Sequence, residues 1–511
     1  MLSSYSPEAL MAKNTFSRRE FLKISALSSS AFALGACASL DRLFMGDKRD
    51  LSNEVIIIGA GAAGLAAAYA LKKKKIPFRI FEASARVGGR VQTVSLFPET
   101  GPVGELGAEF FEESHQTIFA LAKELNLPVR EIKTQSGLET QIFSFNGQIY
   151  RAKDIQAKMK TLQGPIRRVL ADLYRQQEVT LTYKNALQYE RSSYYDSLSL
   201  RDLLNNWSTE VDPLVLKLIE AQAVARFGVD AESQSSIHFL ETIDSEGSSL
   251  LTGRPTYRME GGLSNLMTTL YGRVAGVIPD YFVKTNNVLT ELSEKKGVFT
   301  LVFRTPNGSE KYTTKNVICT IPFSKLRQVS GLQDLSFSSL KKEAILTQDY
   351  ATHSKGVLAF SEAFWKKKNG KTPANLGNFT GDFLSQKFWD SGRAQDGQQG
   401  LMTYLRAGKS GAETGGGAPQ LAIQDLSLIY SDVKQQELLT SQVLNWSQRT
   451  WVEGSMAYFK KNQYMRYKGV AAEPEYGGRF LFAGEHTSVR FAGTLHGALE
   501  SGITAASLVN I

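Results

Sequence analysis

Two groups of residues in this chain could do chemistry, and the first is a set of glycines suited to holding phosphates. Gly59, Gly61 and Gly64 have the G-x-G-x-x-G spacing and directly follow the apolar run at residues 55–58. In this spacing the first glycine allows a tight turn, the second lets backbone approach a pyrophosphate, and the third lets a helix pack on the strand. The helix that begins there directs N–H groups and its positive dipole end towards the phosphates. These residues therefore predict a dinucleotide-binding site.

The second candidate is Lys355, which alternates with Val357 and Ala359 along a predicted strand. A lysine on the same strand face as apolar residues is unusual unless it points into a site. The alternative is a lysine at the strand end whose head group reaches solvent. We take Lys355 as a candidate site residue.

The elements around the glycines complete a nucleotide-binding unit. A helix opens on the glycine turn, and a second apolar strand ends at Glu82, whose carboxylate can accept hydrogen bonds from a ribose. A second glycine pair and Arg90 follow, and the alternative for Arg90 is an ordinary surface loop position. The other residues predicted to contact the nucleotide here are Ala62, Ala63, Ala83, Gly88 and Gly89.

Length and composition indicate a soluble globular protein of two or more domains. The chain has 511 residues, 42% of them hydrophobic and 21% charged. Its net charge of +9 is spread along the chain, and the densest basic run, at residues 72–75, fits the solvated end of a helix. We therefore expect no nucleic-acid partner.

The N-terminal residues resemble an export address rather than part of a fold. The run at 17–23 is similar to a twin-arginine signal, and a short apolar stretch ends at Cys37 in a lipobox-like sequence. We expect residues 1–36 to be a twin-arginine signal peptide, Cys37 to be lipidated, and residues 37–52 to be a tether. The alternative is cleavage just after, with Cys37 lost or free. The expected location is the periplasmic side of a bacterial envelope, with a lipid anchor, after passage through the twin-arginine export machinery.

Neither cysteines nor histidines indicate a metal site. Cys319 lies in an apolar strand, and we expect a buried core residue. If Cys37 carries lipid, no intramolecular disulfide can form. The histidines show no metal-ligand spacing, and they are His115, His238, His353, His486 and His496.

Several separated motifs together resemble the flavin-containing amine oxidase family, which includes monoamine, polyamine and L-amino acid oxidases. The run at 82–90 matches E-x-x-x-R-x-G-G-R, and further similar segments lie at 104–110, 257–263, 479–485 and 494–498. The resemblance implies FAD as cofactor. It also implies an α/β (α+β overall) fold, with an FAD/NAD(P)-binding Rossmann-like domain and a discontinuous mixed α+β substrate domain. The implied FAD domain comprises residues 53–115, 250–325 and 450–511, and the substrate domain residues 116–249 and 326–449.

The same resemblance assigns roles to individual positions. Lys355 would bind a water at flavin N5 and assist reoxidation by oxygen. Val288 would contact the adenine end through its backbone, and Thr494 and Leu495 would place helix N–H groups at the flavin pyrimidine edge. The remaining implied FAD contacts are Gly107, Ala108, Gly484 and Glu485.

This chain also departs from the family pattern. Ser455 stands where monoamine oxidases attach FAD through a cysteine, so non-covalent FAD is expected. Met456 and Thr494 stand where those enzymes have two tyrosines facing the flavin. Trp451 and Tyr458 could supply aromatic walls instead, or could equally belong to the core. Phe110 completes the candidate substrate contacts, and no arginine is assigned to clamp a substrate carboxylate.

The implied activity is oxidation of an amine. Hydride would pass from the α-carbon to flavin N5, giving an imine that hydrolyses to an aldehyde or keto acid plus ammonia, and oxygen would become hydrogen peroxide. The alternatives are an L-amino acid oxidase, a carotenoid- or porphyrinogen-type desaturase, and a non-catalytic FAD-binding envelope protein. Lys355 argues against the desaturase. An occluded pocket, or Lys355 pointing to solvent, would favour the non-catalytic protein.

Overall fold

The computed structural model describes residues 49–97, 101–174, 180–189, 191–244, 247–251, 256–415 and 417–510. The predicted signal peptide 1–36, Cys37 and most of the tether 37–52 lie outside the described residues. The described elements form the predicted α/β fold, in which a parallel sheet and a larger mixed sheet stand on either side of one cavity.

A five-stranded, fully parallel sheet carries the glycine motif. Its central strand, Val55–Ile58, is buried along its whole length, as expected for a parallel sheet that is covered on both faces. The strands come from three separate stretches of chain. In spatial order they are Val283–Lys284, Phe78–Phe81, Val55–Ile58, Asn316–Cys319 and Phe480–Phe482.

Helices that share one core with this sheet include Ala62–Lys73, Ser264–Ala275 and Leu495–Leu508. The first and last of these helices approach so closely that a Cβ atom on Gly502 would lie 2.1 Å from the carbonyl oxygen of Ala63. This packing brings the N-termini of both helices to the same cavity.

A seven-stranded mixed sheet forms the opposite wall. Its strand Ser354–Phe360 is buried throughout and lies between Gly400–Arg406 and Leu438–Asn445. One face packs on a core that contains Leu358, Phe360 and Trp365, which leaves Lys355 on the other face. The remaining strands, in spatial order after Gly400–Arg406, are Lys387–Asp390, Phe379–Gly381, Ile142–Phe145 and Gln148–Arg151.

Smaller sheets join the two walls. One has the strand order Arg49–Asp50, Gly308–Thr314, Val298–Thr305 and Val288–Lys295. In another, Val129–Glu131, from the range predicted for the substrate domain, pairs with Thr256–Met259, from the range predicted for the FAD domain. The other short strands are Phe111–Glu112, Thr93–Ser95, Val103–Glu105, Asp349–Tyr350 and Ala457–Tyr458.

Helix Pro213–Phe227 brings its C-terminal end to the cavity. Proline occupies the first turn, the Asp212 side chain accepts a hydrogen bond from the Leu214 amide at 2.9 Å, and the helix ends at Gly228 with φ of 69°. No helix in the described part of the chain is long and apolar enough to cross a membrane. The other helices are Gln116–Glu124, Ala152–Tyr174, Ser192–Ser197, Leu200–Asn206, Ser236–Leu240, Pro279–Phe282, Phe323–Leu326, Ser339–Thr347, Gly408–Ala412, Ala418–Ser427 and Tyr464–Tyr467.

Candidate active site

A cavity of about 1040 Å³ lies where the parallel strands end, between the two large sheets. One wall consists of residues that follow strand ends, such as Gly59, Glu82 and Thr320, and the opposite wall carries Lys355 and Trp389. Ligands of open parallel sheets bind at the carboxyl ends of the strands. The volume lies at the upper end of the usual range for ligand pockets, about 300–1000 Å³, as expected for a cavity that holds a large ligand.

The glycine turn has no room for larger side chains. Gly59 has φ of 106°, a left-handed conformation that favours glycine. A Cβ atom on Gly64 would lie 1.9 Å from the carbonyl oxygen of Gly59. Helix Ala62–Lys73 begins directly at the cavity, and its N-cap residue Gly61 has no side chain that could cap it. Its first-turn N–H groups are therefore available to an anion such as a pyrophosphate.

Glu82 holds the start of the turn in place while lining the cavity. Its Oε2 accepts a hydrogen bond from the Ala60 amide at 2.7 Å, and its Oε1 accepts from the Ser84 amide at 2.9 Å and the Ser84 hydroxyl at 2.8 Å. A carboxylate has about four acceptor positions. Glu82 can therefore accept a further hydrogen bond, as expected for a ribose-binding acid.

An ion pair between Arg90 and Glu485 ties distant segments together at the cavity wall. Arg90 Nη1 donates to Glu485 Oε1 at 2.7 Å and to the Ser455 carbonyl at 2.8 Å. Glu485 also accepts from the amides of Ala457 and Gly493, each at 3.2 Å. Three segments predicted to surround one cofactor thus share a single buried carboxylate.

A second helix N-terminus faces the cavity at Thr494 and Leu495. The Thr494 hydroxyl oxygen accepts from the Gly497 amide at 3.0 Å, so it caps helix Leu495–Leu508. Both residues lie on the cavity wall. Gly107 lies on the same wall, where a Cβ atom would stand 1.9 Å from the Arg90 carbonyl oxygen.

Lys355 is buried and points to the cavity, not to bulk solvent. The residue is 5% exposed. Its Nζ donates to Glu109 Oε2 at 2.6 Å and to the Gly107 carbonyl at 3.1 Å, and lies 5.0 Å from the centre of the Trp389 ring. Lys355, Gly107 and Trp389 all line the cavity. The arrangement presents a fixed positive charge at the junction of the two walls.

Glu109 is the partner that holds this lysine. Besides Lys355, its carboxylate accepts hydrogen bonds from Trp389 Nε1 at 3.0 Å and from the Ser391 hydroxyl at 2.6 Å. A second buried acid, Glu105, accepts from the Leu263 amide at 2.6 Å. Burial raises the pKa of Glu105 to about 7, and the charge of Glu109 adds to the rise. The site therefore holds a charged pair beside an acid that can carry a proton at neutral pH.

His353 and Ser455 form another buried contact on the wall. Burial lowers the pKa of His353 to about 4, so its imidazole is neutral. Nε2 lies 3.0 Å from the Ala225 carbonyl, which can only accept, so the ring proton lies on Nε2. Nδ1 then accepts from the Ser455 hydroxyl at 2.6 Å. This contact positions both the serine and the end of helix Pro213–Phe227.

Most residues predicted for the cofactor and substrate come together in the cavity. The following predicted residues lie on its wall: Gly59, Gly61, Ala62, Ala63, Glu82, Ala83, Gly88, Gly89, Arg90, Gly107, Ala108, Val288, Lys355, Trp451, Met456, Gly484, Glu485, Thr494 and Leu495. These positions are consistent with their expected roles, which stay predictions.

Three predicted residues lie elsewhere. Gly64 faces the turn rather than the cavity, as its packing role requires. Tyr458, expected as a possible substrate contact, is buried in a small core with Val229 and Ala351, because its short strand pairs with Asp349–Tyr350. Phe110 is half-buried and is not among the lining residues, with the centre of its ring 6.4 Å from that of Trp389. Tyr458 and Phe110 are therefore not among the residues that line this cavity, and their role as substrate contacts stays a prediction.

Sequence reasoning missed several residues of the wall. Trp389 lies beside Lys355 only because strand Lys387–Asp390 joins the same sheet. Trp446 donates to the Leu106 carbonyl at 2.8 Å and supports the Gly107 segment. One feature of the sequence could have indicated Glu109: it is an acidic residue among apolar ones in the segment Gly104–Phe110.

The residues present fit a bound FAD. A Cβ atom on Gly89 would lie 3.2 Å from the Cα atom of Gly61, so these two glycines leave the phosphate cradle open. Two helix N-termini, an acid after the second strand and the half-buried Arg90 supply the polar contacts that a dinucleotide requires. Among the residues that the structure describes, no three His, Cys, Asp or Glu side chains come together to hold a metal ion.

A family model and curated relatives match nearly the whole chain. The model described as flavin containing amine oxidoreductase matches residues 62–510. The chain is 24% identical over 484 residues to the flavin-dependent L-tryptophan oxidase RebO of Lentzea aerocolonigenes, covering 88% of this chain and 97% of that protein. It is 25% identical over 476 residues to an L-amino-acid oxidase of Naja atra, covering 89% of this chain and 87% of that protein.

The fold is also similar to that of solved structures. A putrescine oxidase bound to putrescine superimposes with a TM-score of 0.74 at 18% identity, covering 90% of this chain and 99% of that one. At this identity the likeness concerns the fold.

Proposed function

The chain belongs to the flavin-containing amine oxidoreductases, which use FAD, and we propose that it oxidises an amine with dioxygen as the electron acceptor. When bound, FAD would supply the redox chemistry, as acceptor of a hydride from the substrate α-carbon and donor of both electrons to dioxygen, so that amine, water and dioxygen would become a carbonyl compound, ammonia and hydrogen peroxide. The observation that supports this proposal most directly is the buried Lys355, held at the junction of the nucleotide-binding wall and the second sheet.

Each wall of the cavity has a share in binding the cofactor. The glycine turn with helix Ala62–Lys73 would bind the pyrophosphate, and Arg90 would add a positive charge nearby. Glu82 would accept a hydrogen bond from the ribose. The N-terminus of helix Leu495–Leu508 would stabilise negative charge on the flavin ring. Ser455 replaces the attaching cysteine, so the cofactor is held without a covalent bond.

Lys355 acts on the oxygen side of the reaction. Its ammonium is fixed by Glu109 and by the Gly107 carbonyl, so its positive charge is in place before any negative charge develops. Trp389 and Trp446 line this end of the cavity, and apolar walls strengthen the electrostatic effect of a fixed charge. Lys355 thereby favours electron transfer to dioxygen.

The buried position of Lys355 also bears on the non-catalytic alternative. A scaffold protein with FAD would be favoured by an occluded pocket or by Lys355 pointing to solvent. Neither holds in the described residues, because the cavity is large and the lysine is 5% exposed.

We further propose that the enzyme works on the periplasmic side of a bacterial envelope, anchored by lipid on Cys37. The twin-arginine run and the lipobox-like sequence support this proposal. A cofactor bound across three chain segments favours export in the folded state. Metabolic labelling with a fatty acid tests it: Cys37→Ser removes the label, and an unlabelled native protein would contradict the anchor.

Anaerobic reduction of the flavin tests the activity. Purified holoprotein is mixed without oxygen with a panel of amines and L-amino acids, and the flavin absorbance is followed. We expect at least one compound to bleach the flavin, with ammonia and hydrogen peroxide formed in equal amounts once air is admitted. If no compound on the panel bleaches a flavin that dithionite does reduce, amine oxidation is the wrong reaction for those classes.

A further inference from the structure

We infer that the end of the parallel sheet opposite the cavity rests on a bilayer that carries anionic phospholipid. The contact, here called the docking surface, consists of the four lysines at 72–75 and the loop residues Val277, Ile278 and Tyr281. The inference rests on the proposed location at a bacterial envelope. It concerns a surface that is separate from the walls of the cavity.

The direction of the strands and helices places the docking surface at the far end of the sheet. The parallel strands end at the cavity, and helix Ala62–Lys73 begins there and runs back to the start of the next strand. At 1.5 Å per residue this helix is about 18 Å long, which separates its last residues from the cavity. A second helix ends beside them, because Lys72 Nζ donates to the carbonyls of Arg273 at 2.6 Å and Val274 at 3.2 Å.

The loop that follows this second helix exposes apolar side chains. Val277 is 97% exposed, Ile278 59% and Tyr281 44%. Connections of this kind usually carry glycine, proline or short polar residues, so adjacent valine and isoleucine are unusual. A Cβ atom on Gly276 would lie 3.7 Å from Lys72 Nζ. The apolar loop and the lysines therefore form one continuous surface.

Cations outnumber acids at this end of the sheet. The cations are Lys72, Lys73, Lys74, Lys75, Arg79 and Arg273, and the acids are Glu54, Glu124 and Asp280. Two of the acids are held in ion pairs, Glu124 with Lys73 at 2.7 Å and Glu54 with Arg79 at 3.0 Å. The excess of positive charge complements an anionic surface.

This composition fits a bilayer better than a protein partner. Apolar side chains gain free energy on entering the boundary between headgroups and acyl chains, and neighbouring lysines add attraction to anionic headgroups. Tyrosine is enriched at that boundary. Interfaces between proteins are instead depleted in lysine, and four consecutive exposed lysines would be costly to bury in one.

The tether joins the fold close to the docking surface. Arg79, which pairs with Glu54, has its guanidinium carbon 4.1 Å from the centre of the Tyr281 ring. The described chain begins at Arg49, five residues before Glu54 and thus within about 18 Å of it. The residues between Cys37 and Arg49 span at most roughly 40 Å when extended. A lipid on Cys37 would therefore hold this end of the sheet near the bilayer.

Vesicle binding tests the surface separately from the lipid anchor. Cys37→Ser holoprotein, which has no thiol at the anchor position, is sedimented with vesicles of phosphatidylcholine alone or with phosphatidylglycerol added. We expect binding to be at least about 10-fold stronger with phosphatidylglycerol and to weaken as salt is raised. Equal binding to both vesicles, or none to either, overturns the inference. The fatty-acid label and flavin reduction report independently on the anchor and on the oxidation.

Variants of the surface should lose this binding while keeping the flavin. In the Cys37→Ser background, Val277→Asp and the double variant Lys74→Glu with Lys75→Glu should each weaken binding to the anionic vesicles at least about 10-fold.

Matched controls change exposed residues elsewhere. They are Leu428→Asp, at a leucine that is 65% exposed, and Lys368→Glu with Lys371→Glu. Both should bind like the parent protein. Equal binding by the surface variants and their controls, at equal flavin content, would contradict the assignment of the surface.

A fluorescent label tests whether the loop enters the bilayer. Val277→Cys in the Cys37→Ser background is labelled with an environment-sensitive dye, since Cys319 is buried. We expect brighter, blue-shifted emission on vesicles with phosphatidylglycerol, and unchanged emission from Leu428→Cys labelled in the same way. Unchanged emission at position 277 would contradict insertion. A dimer in solution that Val277→Asp dissociates would assign the surface to a second copy of the chain and overturn the inference.

Discussion

Replacing the two members of the buried Lys355–Glu109 pair, singly and together, should produce strongly non-additive losses of stability. The side chains are 7% and 3% exposed and lie 2.6 Å apart. Removing one partner of a buried pair costs about 3–5 kcal/mol, because the other charge stays buried without its counter-charge. The pair therefore offers a direct test of how the active-site lysine is held.

The two single variants differ in what they leave behind. Lys355→Met leaves the Glu109 carboxylate with two neutral donors, Trp389 Nε1 and the Ser391 hydroxyl, so its cost is about 3 kcal/mol. Glu109→Gln leaves Lys355 with the Gly107 carbonyl as its remaining acceptor, so its cost is nearer 4 kcal/mol. The double variant removes both charges of the pair and should recover at least about 2 kcal/mol of the summed loss.

Urea unfolding of the holoproteins, followed by tryptophan fluorescence, measures the four free energies of the cycle. The matched control is the surface pair Lys367–Glu362, which has the same 2.6 Å separation but side chains 69% and 51% exposed. Its coupling should stay below about 1 kcal/mol. If the buried pair shows an equally small coupling, or the single losses simply add, the account of Lys355 as a fixed buried cation is wrong.

Three further predictions concern the surrounding site. Burial raises the pKa of Glu105 from its ordinary 4.5 to about 7, so the folded protein holds a proton that the unfolded chain releases. The free energy of unfolding should therefore be highest below about pH 4.5 and fall by about 3 kcal/mol as the pH rises to about 7. In Glu105→Gln, which has no proton to lose at this position, unfolding curves across that range should not show this fall. Gly64→Ala should cost about 3 kcal/mol or more and empty the protein of FAD, because the new Cβ meets the Gly59 carbonyl at 1.9 Å. The control Gly272→Ala, with open space around it, should instead stabilise the protein by about 0.5–1 kcal/mol. Full FAD occupancy in Gly64→Ala would contradict the assignment of the glycine turn to phosphate binding. Because Ser455 stands at the attachment position, acid precipitation should release all flavin into solution, and a yellow pellet would indicate a covalent link.

The local motifs could be predicted from the sequence because their residues are close together in the chain. The glycine turn, its helix and Glu82 follow one another within a single strand–helix–strand unit, whose periodicity is strong. Lys355 could be placed on a strand face for the same reason, since alternation along Ser354–Phe360 needs no other part of the chain.

The partners of Lys355 could not be predicted, because they depend on pairings between distant segments. Trp389 reaches the lysine through the register of a strand more than thirty residues away in sequence. From sequence alone, Tyr458 could equally belong to the core or to the substrate wall. In the structure its strand pairs with Asp349–Tyr350, and this pairing places Tyr458 in a small core. Side-chain position across a sheet therefore had to come from the structure.

The central claim is that Lys355 promotes transfer of electrons to dioxygen, and it can be tested without knowing the substrate. Holoprotein reduced with dithionite is mixed with oxygenated buffer in a stopped-flow instrument, and the return of flavin absorbance is timed. Lys355→Met should slow this reoxidation by about 100-fold, the usual effect of removing one preorganised electrostatic group. The control variant Lys368→Met, which changes an exposed lysine, should reoxidise at the rate of the native protein. Equal reoxidation rates in native and Lys355→Met proteins would contradict the claim.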